Sequence, residues 1–246
     1  MFKRALAFLA ATAFWFVFVC VLWVLALRVL PPPVTWVMVT QSNELGSIQR
    51  DWIPLHRMAH NMPLAVIASE DQRFLHHHGF SWKAIREAMK YNEKKKKGKK
   101  VKGASTISQQ TAKNVFCWPG RTFIRKGLEA WFTVVIETLW SKERIIEVYL
   151  NVAETGKGRF GAQATARACF KHDSDRLTPA ECALIAAVLP LPRKFNACGP
   201  SGYIRKRQGA IQHQMRLLGD VFDPAVIERT RERISKEEAA QERRAK

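Results

Sequence analysis

The sequence predicts a mainly α protein in which a membrane-length helix precedes one helical domain. Three observations carry that expectation. Ala5 to Leu27 is uncharged and strongly apolar, and at 1.5 Å per residue such a run can cross a hydrocarbon core of roughly 30 Å. Beyond it, apolar residues recur at helical spacing behind capping residues, as Trp82, Ile85, Ala88 and Met89 do behind Ser81. Only one short run, Val34 to Thr40, looks β-like. Its Trp36, Val37 and Met38 read equally as a small strand or as an interfacial contact.

The apolar run is a membrane span rather than a cleaved leader. A secretory signal has an apolar region of about 7 to 15 residues and a small-x-small cleavage site, and neither is present here. Lys3 and Arg4 precede the span and Arg28 follows it. The positive-inside tendency therefore modestly favours a cytoplasmic N-terminus and carries the remainder across the membrane. Pro31, Pro32 and Pro33 then stop the helix and stiffen a short linker. We divide the chain into a cytoplasmic start and span (1–30), a Pro-rich linker (31–45), a main domain (46–222) and a charged tail (223–246).

The net charge of +19 over 246 residues calls for an anionic partner, which charge alone does not identify. The segment from Lys94 to Lys102 holds seven lysines in nine residues. Self-repulsion makes it a mobile loop, suited to anionic lipid headgroups or simply to solvent. Five cysteines, at 20, 117, 169, 182 and 198, fit no zinc spacing. Cys182 reads as a small buried thiol, and disulfide pairing stays open.

Within the main domain, Pro63 opens a helix from Leu64 to Leu75 that Gly79 closes. It carries adjacent carboxylates, Glu70 and Asp71, followed by His76, His77 and His78. Alone, those carboxylates read as solvated residues at a helix end. Three contiguous histidines cannot converge on one metal ion, so His77 is expected to be structural. Thr106 and Gln109 have capping-box spacing, which starts a helix with Thr106, Gln109 and Lys113 on one face. With free N–H groups nearby, that face suits a phosphate. A plain capped helix with an exposed lysine is an equal alternative.

After a turn at Pro119 and Gly120, a long helix runs from Arg121 to Trp140, burying Phe123, Leu128, Trp131, Phe132, Val135, Ile136 and Leu139. Arg121, Arg125 and Glu129 follow one another at i, i+4. They form either an ordinary surface ion pair or a charged site. Ser141 caps Lys142 to Leu150, Pro179 opens Ala180 to Leu189, and Arg205, Lys206, Arg207 and Arg216 decorate the last amphipathic helix. The glycine-spaced segment from Gly156 to Gly161 has no preceding strand, so it is no dinucleotide fingerprint. From Glu228 onward little can be buried, and the tail is expected to fray.

Five blocks, in order, resemble the peptidoglycan glycosyltransferases of glycosyltransferase family 51, in their monofunctional, membrane-anchored form. They are Glu70 and Asp71 with Phe74, His77 and Gly79; Gly103 with Ser105, Thr106, Ile107, Gln109, Gln110, Lys113 and Asn114; Arg125, Lys126, Glu129 and Glu137; Lys142, Ile145, Glu147, Tyr149, Leu150 and Asn151 with Gly156 and Gly161; and Ala183 to Pro192. Ser81, Thr165 and Leu191 depart from the family pattern. The resemblance implies a lysozyme-like helical head with a smaller membrane-facing jaw. It implies polymerisation of lipid II onto a growing glycan strand, with inversion and release of undecaprenyl pyrophosphate.

On that resemblance Glu70 is the general base, and Lys113 and Arg121, with Ser105, Gln109 and Asp71 beside them, contact pyrophosphate or sugar. Asp71 has a local orienting role as its alternative. Glu129, the second glutamate, orients the cations or holds a divalent ion, Mg or Mn; no organic cofactor is expected. The implied partners are lipid II, the glycan strand, the membrane, and cell-wall synthesis and division proteins, with no nucleic acid. The implied location is the bacterial inner membrane with a periplasmic catalytic domain. No transpeptidase blocks follow, so cross-linking falls to another protein. A lysozyme-like hydrolase and a membrane-tethered basic scaffold are the competing readings.

Overall fold

The computed structural model describes residues 2–94 and 103–245. Most of the lysine-rich segment lies outside these residues. The chain is mostly helical. Helix α1 spans Phe2–Val29, and among the described residues it is the one helix long and apolar enough to cross a membrane. At about 1.5 Å per residue it exceeds the hydrocarbon thickness, and most of its surface is open.

The last turns of α1 are bonded to the domain rather than tethered loosely. Trp140 Nε1 donates to Val24 O at 2.8 Å, and Arg144 Nη2 donates to Leu27 O at 2.8 Å and Leu30 O at 2.6 Å. Cation and donors thus satisfy the carbonyls that every helix leaves open at its C-terminus. The Pro32 and Pro33 carbonyls accept from the Arg50 guanidinium.

The region read as β-like or interfacial is helix α2, Trp36–Leu45. Thr35 caps it by accepting from Met38 N, and Gly46 ends it at φ 77. A helical start and stop outweighed the β propensity of the run from Val34 to Thr40. With Met38 and Gln41 buried, the linker is part of the folded head. After strand β1 (Gln49–Arg50) comes α3, Asn61–Glu70. It is shorter than expected, because Asp71 leaves the helix and spends its carboxylate on other partners.

Helix α4 covers Trp82–Lys94 and α5 covers Ile107–Phe116. Ser81 accepts from Ala84 N at 3.3 Å, and the Thr106–Gln109 capping box is present in both directions. Helix α6 (Phe123–Leu139) is capped by Thr122, so Arg121 stands before it. Phe132, Val135 and Ile136 are buried, but Phe123 is 98% exposed. The expected apolar side begins one turn too early there.

Helix α7 (Lys142–Val152), capped by Ser141, leads into a small sheet of β2 (Glu154–Gly156), β3 (Arg159–Phe160) and β1. Strand β3 runs parallel to β1 and antiparallel to β2. The glycine-spaced segment is the hairpin of this sheet. Helix α8 (Ala162–Thr165) and a π turn at 166–170 follow.

The core closes where α3, α9 (Pro179–Val188) and α10 (Gly202–Leu218) pack together. Every residue of α9 from Cys182 to Val188 is buried. The charged tail, expected to fray, is helix α11, Pro224–Ala245; half-buried Val226, Ile227 and Thr230 on its first turns line a crevice with Ile67, Leu75 and Leu218. Cys169 and Cys198 form a disulfide. Cys117 and Cys182 are buried free thiols, and burial pushes their pKa values up to about 11 and about 12, which keeps them unreactive.

Candidate active site

Glu70 is the last residue of α3, and the loop after it is held rigidly. Asp71 Oδ2 accepts from His77 Nε2 at 2.8 Å and from Ile107 N at 3.1 Å. Gly79 N donates to His77 Nδ1 at 3.1 Å, which fixes the proton on Nε2, facing Asp71. Asp71 and His77 are therefore a structural clasp between this loop and the start of α5. Gly79 (φ +87) lies so close to α6 that a Cβ would meet Thr133 Cγ2 at 2.7 Å. Lys142 Nζ closes the underside, donating to His77 O at 2.6 Å and pairing with Glu137 at 2.7 Å.

Glu70 stands between two open clefts. One, of about 430 Å³, is lined by Glu70, Asp71, Lys83, Glu87 and Ser105, among others. The other, of about 460 Å³, is lined by Gln110, Lys113, Asn114, Arg121, Arg125 and Tyr149, and by the Pro190 and Pro192 turn. Gln110, on the wall of the second cleft, donates through Nε2 to Glu70 Oε2 at 3.1 Å, so the carboxylate lining the first cleft is tied to the wall of the second. Tyr149 OH donates to Gln110 Oε1 at 3.2 Å. Burial, with Glu70 adding to it, raises the Tyr149 pKa well above its ordinary value, so the phenol stays a donor and fixes the amide orientation.

The second cleft is cationic. Lys113 is open to it, yet protein crowds the ammonium; this desolvation lowers its pKa from the ordinary 10.5, while Glu129 and Glu70 pull the other way. Glu129 is 3% exposed. Arg125 Nη1 meets its Oε2 at 2.9 Å, and Lys126 Nζ meets its Oε1. Glu129 is thus a buried carboxylate held between a largely buried arginine and a half-exposed lysine, which is not the ordinary surface pair. With both oxygens engaged by cations, and no group of three His, Cys, Asp or Glu among the described residues, these side chains do not fit a divalent ion held by protein ligands alone.

The expected site residues thus divide. Lys113 and Arg121 share one cleft, while Ser105 joins Glu70 and Asp71 in the other. Gln109 lines neither. It is 6% exposed, and its Oε1 accepts from Thr106 N at 3.1 Å. Thr106 itself is 2% exposed, so the expected phosphate face is closed by its own cap. The residue that reaches Glu70 is Gln110. Its i, i+3 relation to Lys113 was a usable signal, because that spacing puts both on one face.

A helical domain behind a membrane-length apolar helix, with one half-buried carboxylate beside a cation-lined cleft, has the architecture of an enzyme acting on an anionic substrate. Comparison with known proteins is more specific. A family model described as Transglycosylase matches residues 38–216. The biosynthetic peptidoglycan transglycosylase of Xanthomonas campestris pv. campestris (strain B100) is 48% identical over 224 residues, covering 88% of this chain and 90% of that protein. Proteins of the same description from Pseudomonas putida (strain W619) and Pseudomonas aeruginosa (strain PAO1) are 49% and 48% identical, each covering 89% of this chain and 94% of the relative. The chain belongs to the transglycosylase family.

Proposed function

We propose that the protein is a peptidoglycan glycosyltransferase that polymerises lipid II into β-1,4 glycan strands. The observation that carries this reading is that Glu70, lining one cleft, accepts from Gln110 on the wall of a second cleft lined by Lys113, Arg121 and Arg125. The growing strand is the donor, and its pyrophosphate lies against those cations. The 4-hydroxyl of the incoming sugar attacks the anomeric carbon as its proton passes to Glu70. The C–O bond to pyrophosphate breaks, the leaving group keeps the electron pair, and undecaprenyl pyrophosphate departs. Attack opposite the leaving group converts an α linkage to β. The cations act where negative charge grows, which is where electrostatic stabilisation is most effective.

Glu129, buried and paired with two cations, is not placed to serve as the second carboxylate that a glycan hydrolase uses, and the products formed from lipid II separate the two reactions. The catalytic domain lies outside the cytoplasm, with the N-terminus inside. The Cys169–Cys198 disulfide supports this topology, since such bonds persist in oxidising compartments. The test is to incubate the detergent-solubilised full chain with labelled lipid II. Polymer is expected, whereas soluble muropeptides without polymer would overturn the assignment.

A further inference from the structure

Glu70 occupies an awkward place for an anionic base. It is the C-terminal residue of α3, where unpaired carbonyls give a helix its negative end and a carboxylate is disfavoured. A second helix end lies beside it, because the Ala186 and Ala187 carbonyls belong to the last turn of α9. One side chain answers both. Arg207, from the middle of α10, donates through Nε to Ala187 O at 3.2 Å and through Nη2 to Ser69 Oγ at 3.0 Å. The same Nη2 stands 3.5 Å from Glu70 Oε1, and Ser69 Oγ is 3.1 Å from that oxygen.

The other carboxylate oxygen, Oε2, accepts from Gln110. Each oxygen therefore has its own arm, one from α10 and one from α5. An arginine fork suits such a site, because its donors are rigid and planar and its charge is permanent.

We infer that Arg207 and Gln110 are positioning residues that hold the Glu70 carboxylate at the angle from which it takes the acceptor's proton. Arg207 is 138 residues from Ser69 in the chain and acts through the Glu70 carboxylate. The fork neutralises the converging helix ends, and the amide, oriented by Tyr149 OH, stops the carboxylate rotating away. The inference rests on Glu70 being the base.

The experiment compares Arg207→Gln, Arg207→Lys and Gln110→Ala in the full-length, detergent-solubilised protein polymerising lipid II, with thermal melting of each. Misplacing a base predicts a kcat loss of about a hundredfold with the lipid II KM changed by less than about twofold. Arg207→Lys should recover about tenfold of the Arg207→Gln loss, and added guanidinium ion should restore part of it, because charge and donors return without the fork's geometry. A purely structural role gives a different picture: activity falls with the folded fraction, and neither lysine nor guanidinium raises kcat. That result, or a change confined to KM, overturns the inference. Gln110→Ala, remote from the α9–α10 packing, repeats the test without threatening that interface, and an unchanged kcat there removes its arm. If Glu70→Gln polymerises normally, the base assignment itself fails; if Glu70→Gln is inactive while folded Arg207→Gln keeps full kcat, only the positioning role fails.

Discussion

The two glutamates, Glu70 and Glu129, sit in opposite environments. Glu129 is buried within α6, and both its oxygens are taken by Arg125 and Lys126 of its own helix. Glu70 keeps a side chain 14% exposed at a cleft, with one amide, one hydroxyl and one arginine at 3.5 Å around it. Glu129 has no oxygen left for a substrate, because cations hold both, whereas Glu70 lines an open cleft. The difference teaches how two acidic residues can divide the work in the proposed reaction, Glu129 arranging cations and Glu70 taking the proton.

The most severe way to break this contrast is Glu70→Gln. Losing the general base should lower polymerisation by about a thousandfold or more with an unchanged circular-dichroism spectrum and melting temperature; a variant polymerising at wild-type rate would refute the assignment. Glu129→Gln should act differently, lowering both activity and stability. It leaves Arg125 buried without its partner, which costs about 2 kcal/mol once the half-exposed Lys126 is discounted, and calorimetry should register the loss.

Lys113→Ala tests the cationic cleft and should raise the donor KM by about tenfold while leaving the fold intact. The pH dependence sharpens this prediction. Lys113 binds pyrophosphate only when protonated, and burial has lowered its pKa from 10.5. The donor KM should therefore rise with increasing pH at a lower pH than for an ordinary lysine. Glu129 raises that pKa, so in Glu129→Gln the rise should begin at lower pH still; an identical KM profile in both proteins would separate Lys113 from Glu129.

The smallest expected effect on catalysis is that of Cys169→Ser with Cys198→Ser. The disulfide closes a loop with a sequence separation of 29, worth about 3–4 kcal/mol on chain-entropy grounds. Melting should fall while kcat at a temperature where the protein stays folded changes little. Equal losses in kcat would tie this loop to the Pro190 and Pro192 cleft wall.

Much of the fold was legible because its signals are local. The apolar span, the caps at Ser81, Thr106 and Ser141, and the proline opening α9 each act within a turn of the helix they start. Errors arose where distant partners decided. Helix α3 stops at Glu70 because Asp71 is held by His77 and by Ile107 N, 36 residues on. Helix α2 forms where the run from Val34 to Thr40 read equally as a strand or an interfacial contact, and α11 forms where charge density suggested fraying. The small sheet joins residues 110 positions apart, and strands of two or three residues carry no readable period.

By itself the sequence determined the class of protein: a membrane helix, capped amphipathic helices and two glutamates set among cations in a family-specific order. Caps, periodicity and motif spacing are properties of neighbouring residues, so they survive without a structure. Only the tertiary structure decided which of those residues meet. It withdrew Gln109 into its own cap, put Ser105 in a different cleft from Lys113, and brought Gln110 and Arg207 to Glu70. Hydrogen bonds of about 3 Å depend on how α3, α5, α9 and α10 pack, and no local pattern encodes that packing.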